Sequence, residues 1–467
     1  MKKIFLCAFA ALYGILLLSF TAYGQSSIFY VPTQNGDTTI VREWQEGYYV
    51  TYNRTPHCFS LHNPGNNIIL TIPVSDPNAL VRDFRILDDS IFVGGSYVTT
   101  TDKRGFLACF SIQDFYNGYG DFKGCYYQQT TMFDNWNAHG GYCENLVTNI
   151  RRLALFRDEH GIRVAFIADN VILDDGIVAY KRVGIGSAQW NGPALTWGTT
   201  PLLYNKDGIE EFTDIITTDN YVVAVSRTND SALLNIRTFN KSLYLSPSVS
   251  TYRQCMNDLN VIDRVMTTPI NGDKFAVVYH YKDLGEVGVA VKEFSIDPFG
   301  WISFVQGTNI PLSGSNFPLW EMRDVRYLPN KNYIAALQYV YAPFSGGLEN
   351  IVHRYDRSNL YSYFGSYLSG YKLHALDKLD NDKIIASGRH TGYLNLFTEH
   401  PNTIQSCGSP DVSYGNIVPG VKIYTYQMPG NMNYPTPPFH DEKIIQNTEY
   451  KYMNCSHYRE QENTEKP

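Results

Sequence analysis

The segment VRDFRILDDSIFVGGSY, residues 81–97, is written again, in altered form, three times further along the chain. FTDIITTDNYVVAVSR from Phe212, VIDRVMTTPINGDKFAVVYH from Val261 and MRDVRYLPNKNYIAALQY from Met322 follow the same plan. Each has an Asp, a short β-prone run, a polar turn and a second β-prone run. Such a repeat constrains the fold more tightly than any motif. One small sheet has two apolar faces and cannot bury both by itself, so the units must stack on one another. Aligned on Asp83, Asp214, Asp263 and Asp324, the pattern puts Asn149 (VTNIRRLALF) and His374 (KLHALDKL) in the same slot.

A third strand built around an aromatic follows each slot: Phe110, Tyr180, Phe239, Phe294, Tyr355 and Phe397 lie 23 to 31 residues downstream. Residues 42–61, REWQEGYYVTYNRTPHCFSL, form a further unit without the Asp, with Phe59 as its aromatic, which makes seven units. Fourth strands follow in NIILTIPV (67–74), WISFVQG (301–307) and VKIYTY (421–426), the last from the chain's tail and completing the final unit. No capped run of period 3.6 competes with this reading.

Four short strands per unit, repeated at intervals of several tens of residues, resemble a β-propeller. The fold class expected is all-β, a propeller of seven blades with four antiparallel strands each; counts of six and eight stay open. The resemblance is architectural. No Trp-Asp dipeptide closes each unit, no double glycine of kelch type recurs, and the S-x-D-x-G-x-T-W boxes of sialidase-like propellers are missing. At about 150 residues per domain, 467 residues would make about three domains, a size that repeat folds routinely exceed.

The organisation expected is a signal peptide at 1–24, a propeller over 25–430 with an insertion at 115–146, and an irregular tail at 431–467. Lys2 and Lys3 precede the apolar stretch IFLCAFAALYGILLLSF, and Ala22 and Gly24 place small residues before Gln25. That pattern is a cleavable secretory signal, the alternative being an uncleaved anchor. The protein is expected to be secreted or periplasmic, with no transmembrane segment after cleavage. Net charge is −7 without a basic stripe, which argues against nucleic acid as a partner. An exported chain can form disulfides, and Cys125–Cys143 and Cys407–Cys455 are the expected pairs because each would close an irregular segment. Cys58 and Cys109 sit at equivalent points of two strands and read as small buried hydrophobes.

The repeated Asp has two readings. A ring of carboxylates around the channel mouth could hold a cation or sugar hydroxyls. Alternatively, each Asp accepts hydrogen bonds from backbone N–H groups at the start of the innermost strand. Repetition favours the second, because a folding device is needed in every blade and a catalytic group only once. Asp88, Asp89, Asp174, Asp175, Glu210, Glu211 and Asp377 are candidate acids for glycoside hydrolysis, and none stands out. No metal site is expected: Asp377, Asp380 and Asp382 lack the spacing and the Gly of a calcium loop, and His139, His280, His353 and His390 form no close ligand pair. No nucleophile elbow, phosphate-binding Gly loop or dinucleotide fingerprint occurs, and no cofactor is expected.

The insertion is the richest stretch for recognition. Tyr116, Tyr119, Tyr126, Tyr127, Trp136 and His139 are the candidate binding residues, set among Gly and Asn in a loop stapled by Cys125 and Cys143. Flat aromatic faces stack on sugar rings or anchor a protein partner; the competing reading is a cover that buries its own rings. The leading function is a binding module for a carbohydrate or a protein partner, and the alternative is a propeller enzyme acting on a polysaccharide or glycoside.

Overall fold

A computed structural model describes residues 29–398, leaving out connecting segments of which 33–38, 114–122, 127–142, 198–209, 242–249 and 312–319 are the longest. The described residues form seven antiparallel sheets in which consecutive strands are neighbours. Sheet 1 comprises Thr39–Gln45, Tyr48–Asn53, Cys58–His62 and Ile68–Pro73. Sheet 2 comprises Ala79–Leu87, Ser90–Val98, Lys103–Ser111 and Lys123–Tyr126. Sheet 3 has longer strands: Cys143–Asp158, Gly161–Asp174 and Ile177–Trp190, with the short Leu195–Trp197 at its edge. Sheet 4 holds Glu210–Thr217, Tyr221–Thr228, Leu234–Asn240 and Ser250–Gln254.

In sheet 5 the innermost strand is split into Asn260–Val261 and Met266–Pro269, followed by Lys274–Asp283, Glu286–Ile296 and Ile302–Pro311. Sheet 6 is Trp320–Leu328, Tyr333–Ala342, Gly347–Asp356 and Tyr363–Ser369. Sheet 7 is built from Lys372–Leu379, Lys383–His390 and Tyr393–Thr398, and its fourth strand is Phe29–Pro32. The tail segment 421–426, expected to complete the last unit, lies outside the described residues, and the N-terminal strand occupies that edge instead. Pairing the first strand with the last covers the outer edge of Tyr393–Thr398 and joins the two ends of the described chain in one sheet.

The first strands of successive sheets contact one another in order, and the first strand of sheet 7 contacts that of sheet 1. This closed ring of radially stacked sheets is a β-propeller. Its core lies between sheets. Tyr52, Phe59, Phe84, Ile91 and Phe110 fill the space between sheets 1 and 2; Val223, Ile236, Phe275, Val277 and Phe294 fill that between sheets 4 and 5. In five sheets the third-strand aromatic is part of the core, as the repeat implied. Phe59, Phe110, Phe239, Phe294 and Tyr355 are all buried, and each faces the second strand of its own sheet. Two aromatics depart from the expected position: Tyr180 pairs with Ile172 near the far end of Gly161–Asp174, and Phe397 with Ala386 in the middle of Lys383–His390, whereas Phe110, Phe239, Phe294 and Tyr355 pair with the second residue of their second strands.

Cys58 and Cys109 are buried free thiols, and burial pushes the Cys58 thiol up to about 11. Among the described residues no helix is long and apolar enough to cross a membrane. The signal segment 1–24 and the tail 431–467 lie outside the described residues.

Candidate functional site

The repeated Asp is the natural place to begin. Just before it, the innermost strand carries a bulge between Val81 and Asp83 in sheet 2, between Phe212 and Asp214 in sheet 4, and between Met322 and Asp324 in sheet 6. A bulge inserts one unpaired residue and re-aims the side chain that follows. All three aspartates are buried, and each lies against its neighbouring blade. Asp83 Oδ2 accepts from the Leu153 N–H at 3.0 Å, Asp214 Oδ2 from Thr267 N–H at 2.9 Å, and Asp324 Oδ2 from Leu376 N–H at 3.1 Å. Every donor belongs to the first strand of the next sheet. The folding role expected for these residues holds, but the partner lies across a blade boundary and not at the start of the residue's own strand.

Two slot assignments need correction. In sheet 3 bulges fall between Val147 and Asn149 and again between Ile150 and Arg152, so Arg152, not Asn149, follows the second bulge and precedes Leu153. Asn149 instead donates to Asp169 at 2.9 Å within its own sheet. In sheet 7 His374 is the bulged residue and Ala375 takes the register position. Sequence spacing cannot see an inserted bulge, because the period of two survives on either side of it. Asp263 lies outside the described residues.

Guanidiniums meet these carboxylates. Arg42, 2% exposed, donates through Nη2 to Asp83 Oδ1 at 2.7 Å and through Nη1 to Asp324 Oδ2 at 3.3 Å, joining sheet 1 to sheets 2 and 6. Arg326 Nη1 reaches Asp324 Oδ1 at 2.7 Å, and its Nε reaches Asp377 Oδ1 at the same distance. Arg85 Nε is 3.4 Å from Asp83 Oδ2, and Arg152 Nε is 3.9 Å from Asp214 Oδ1. Arg152 Nη2 also donates to the Arg323 carbonyl of sheet 6 at 3.0 Å, which spans the ring from sheet 3. Asp377 Oδ2 accepts the Glu43 N–H at 3.0 Å, carrying the pattern across the closure between sheets 7 and 1. Among the described residues, four carboxylates and four guanidiniums thus meet at the axis.

Electrostatics separate the acids. Burial alone would raise both Asp83 and Asp324, but the surrounding arginines override it and hold both carboxyls below the usual range. For Asp214 burial prevails over Arg152 and the Thr267 N–H, and its carboxyl is pushed up. Its Oδ1 has no hydrogen-bond partner. Burial and the nearby Arg42 bring the Arg85 guanidinium down to about 10. A cation would find these carboxylates already compensated, so the arrangement acts as a central fastening between blades. Asp377, one of the candidate acids for hydrolysis, is part of it. Asp88 and Asp89 form the exposed turn after Leu87, with Asp88 at φ 53°, a left-handed position that Asp tolerates. Glu211 pairs with Arg227 at 3.2 Å. Among the described residues no group of three metal-ligating side chains occurs.

The binding residues chosen from sequence fall largely elsewhere. Tyr116, Tyr119, Tyr127, Trp136 and His139 lie outside the described residues, as do Cys407 and Cys455. Tyr126 and Cys125 stand on the outer strand of sheet 2 and Cys143 opens sheet 3, their backbones alone being described. A different surface shows features that sequence reading missed. A groove of about 720 Å³ separates sheets 4 and 5 on the face that carries their first hairpin turns. Beside it stand Phe299 and Trp301, 83% and 67% exposed, in the turn that leads into the edge strand Ile302–Pro311, on which Phe304 and Val305 are half-exposed. The only signal for these rings in the sequence was Pro-Phe-Gly-Trp, a turn with two aromatics and no core position to fill.

No family model matches the chain, and no curated protein matches it either. Among solved structures the chain is similar to virginiamycin B lyase from Staphylococcus aureus, at 11% identity over 80% of this chain and 99% of that one, with a TM-score of 0.41. It is also similar to the WD40 β-propeller domain of Doa1, at 11% identity over 80% of this chain and 98% of that one, with a TM-score of 0.39. A luciferin-regenerating enzyme is a third, at 10% identity over 74% and 96%, with a TM-score of 0.35.

Proposed function

We propose that this chain is an exported seven-bladed β-propeller, four strands to a blade, that works as a binding module for a carbohydrate or a protein partner. One observation carries the reading. The acids that converge on the axis are neutralised by arginines and by backbone N–H groups of the neighbouring blade, which leaves recognition to the surface loops. A glycosidase pair needs one carboxyl free to donate and one free to attack or to activate water. The seven sheets of the described ring, closed by Phe29–Pro32, support the blade count. The basic and apolar N-terminal segment supports export, with Gln25 the first mature residue. In this reading the aromatic insertion at 115–146 is a recognition loop, held by a Cys125–Cys143 bond, and Cys407–Cys455 fastens the tail.

The test uses the mature exported protein. Retardation in polysaccharide gels and capture of protein partners are read alongside reducing-sugar release. Binding without release supports the module; sustained release abolished by a single carboxylate substitution would overturn it.

A further inference from the structure

The groove between sheets 4 and 5 is built from turns that hold one another in place. Asp273, in the first turn of sheet 5, accepts from Thr218 Oγ1 at 2.9 Å and from the Asn220 N–H and Nδ2 at 2.8 and 2.7 Å, all in the first turn of sheet 4. Lys241 Nζ donates to the Asp219 carbonyl at 2.7 Å. The third side is the turn Asp297–Trp301. Asp297 Oδ1 accepts from both the Phe299 and Trp301 N–H groups at 2.9 Å. Sheet 4 then grips this turn: Tyr221 OH donates to the Asp297 carbonyl at 3.0 Å, and Thr238 Oγ1 donates to the Gly300 carbonyl at 3.3 Å. Two large rings are therefore displayed in water on a turn whose backbone is fixed by at least four hydrogen bonds.

The chemistry of the lining selects the ligand class. Asp219 and Asp273 in the lining and Asp297 in the adjoining turn meet Lys241 and Lys274, so the groove has no excess of positive charge to attract an anion. The exposed side chain of Asn271 offers an amide that both donates and accepts, while Asn220 Nδ2 is engaged by Asp273. A fixed aromatic display beside amide and charged groups, in an open groove with no excess of positive charge, matches an uncharged ligand that is flat on its C–H face and rich in hydroxyls. Such rigid rings contribute contact area at little cost in conformational entropy. The volume falls in the range of ordinary ligand sites.

We propose that this groove, with Phe299 and Trp301 at its rim, is a binding site for a neutral glycan chain. The inference rests on the binding-module reading and gives it a location and a ligand class. The test is affinity electrophoresis of the mature chain in gels containing starch, mixed-linkage β-glucan, xylan or galactomannan, with alginate as the anionic control. Retardation by at least one neutral polymer is expected, reduced tenfold or more in Trp301→Ala and in Asn271→Ala. Both positions are exposed, so melting temperatures should match wild type. If wild type is retarded by a neutral polymer and both variants keep that affinity, the glycan binds elsewhere; the groove assignment then fails while the module survives. No retardation by any neutral polymer, or retardation in alginate alone, overturns the proposal. Release of reducing sugar from the retarding polymer overturns the module reading itself.

Discussion

Replacing Asp83 and Asp214 by Asn should have unequal consequences, although the two residues occupy the same position in blades 2 and 4. Asn keeps a carbonyl oxygen that can go on accepting the N–H of Leu153 or Thr267, so the substitution mainly removes charge. Asp83→Asn strips Arg42 of its 2.7 Å partner and Arg85 of its 3.4 Å partner while Arg42 stays buried. Removing one partner of a buried pair typically costs about 3–5 kcal/mol, and because Arg42 keeps Asp324 at 3.3 Å the cost should lie at the lower end of that range. The nearest guanidinium to Asp214 among the described residues is the more distant Arg152, at 3.9 Å, and burial already pushes its carboxyl towards the neutral form. Arg152 keeps the fields of Asp83 and Asp324. Asp214→Asn should therefore cost about 1 kcal/mol or less, the scale of one altered hydrogen bond. Urea unfolding of the mature protein, followed by fluorescence of its six tryptophans, reads both values. The expected gap of at least about 2 kcal/mol is roughly thirtyfold in the unfolding equilibrium. Equal losses, or a larger loss for Asp214→Asn, would refute the claim that guanidinium contact, and not the shared inter-blade hydrogen bond, sets the energetics of the axis.

The acid limb should carry the same signature. A carboxyl held below its ordinary value binds fewer protons folded than unfolded, so wild type should lose stability as pH falls below about 4, and Asp83→Asn should show a shallower loss in acid melts. His353 acts in a neighbouring range. Burial, helped by His280, brings it down to about 4, so the folded protein resists its protonation and stability should fall from pH 6.5 to 4 by about 3 kcal/mol. His353→Gln, which spares Tyr355, should flatten that window in urea titrations; an unchanged slope would remove His353 as its cause. Gly95→Ala should destabilise by at least about 1–3 kcal/mol, since its Cβ would stand 2.0 Å from the Leu80 carbonyl oxygen and 2.8 Å from the Phe106 ring. A melting temperature equal to wild type would contradict that packing. Starting the mature chain after Pro32 should lower the melting temperature by several degrees, because the strand Tyr393–Thr398 loses the outer of its two antiparallel partners.

The repeat was legible because it is local. Alternation, turn residues and an aromatic at a steady spacing mark the first three strands of each unit, and strands such as Ile68–Pro73 and Ile302–Pro311 follow from the same pattern. That Asp83, Asp214 and Asp324 serve the fold was also legible, since a residue repeated blade after blade is needed by every blade. What the chain could not disclose is everything that crosses from one blade to another. Arg42 and Asp324 are 282 residues apart, and no spacing rule links them. The bulges that make Arg152 and Ala375 the counterparts of those aspartates are invisible to a pattern of period two. Phe29–Pro32 is four residues of ordinary strand until the ring brings it against Tyr393–Thr398. Phe299 and Trp301 look like core residues by type, and only the packing of sheets 4 and 5 leaves them in water. Local interactions act between residues close along the chain, so sequence alone determined the repeating unit and its strands. Charge pairing, ring closure and exposure depend on distances in space, and the tertiary structure alone decided them.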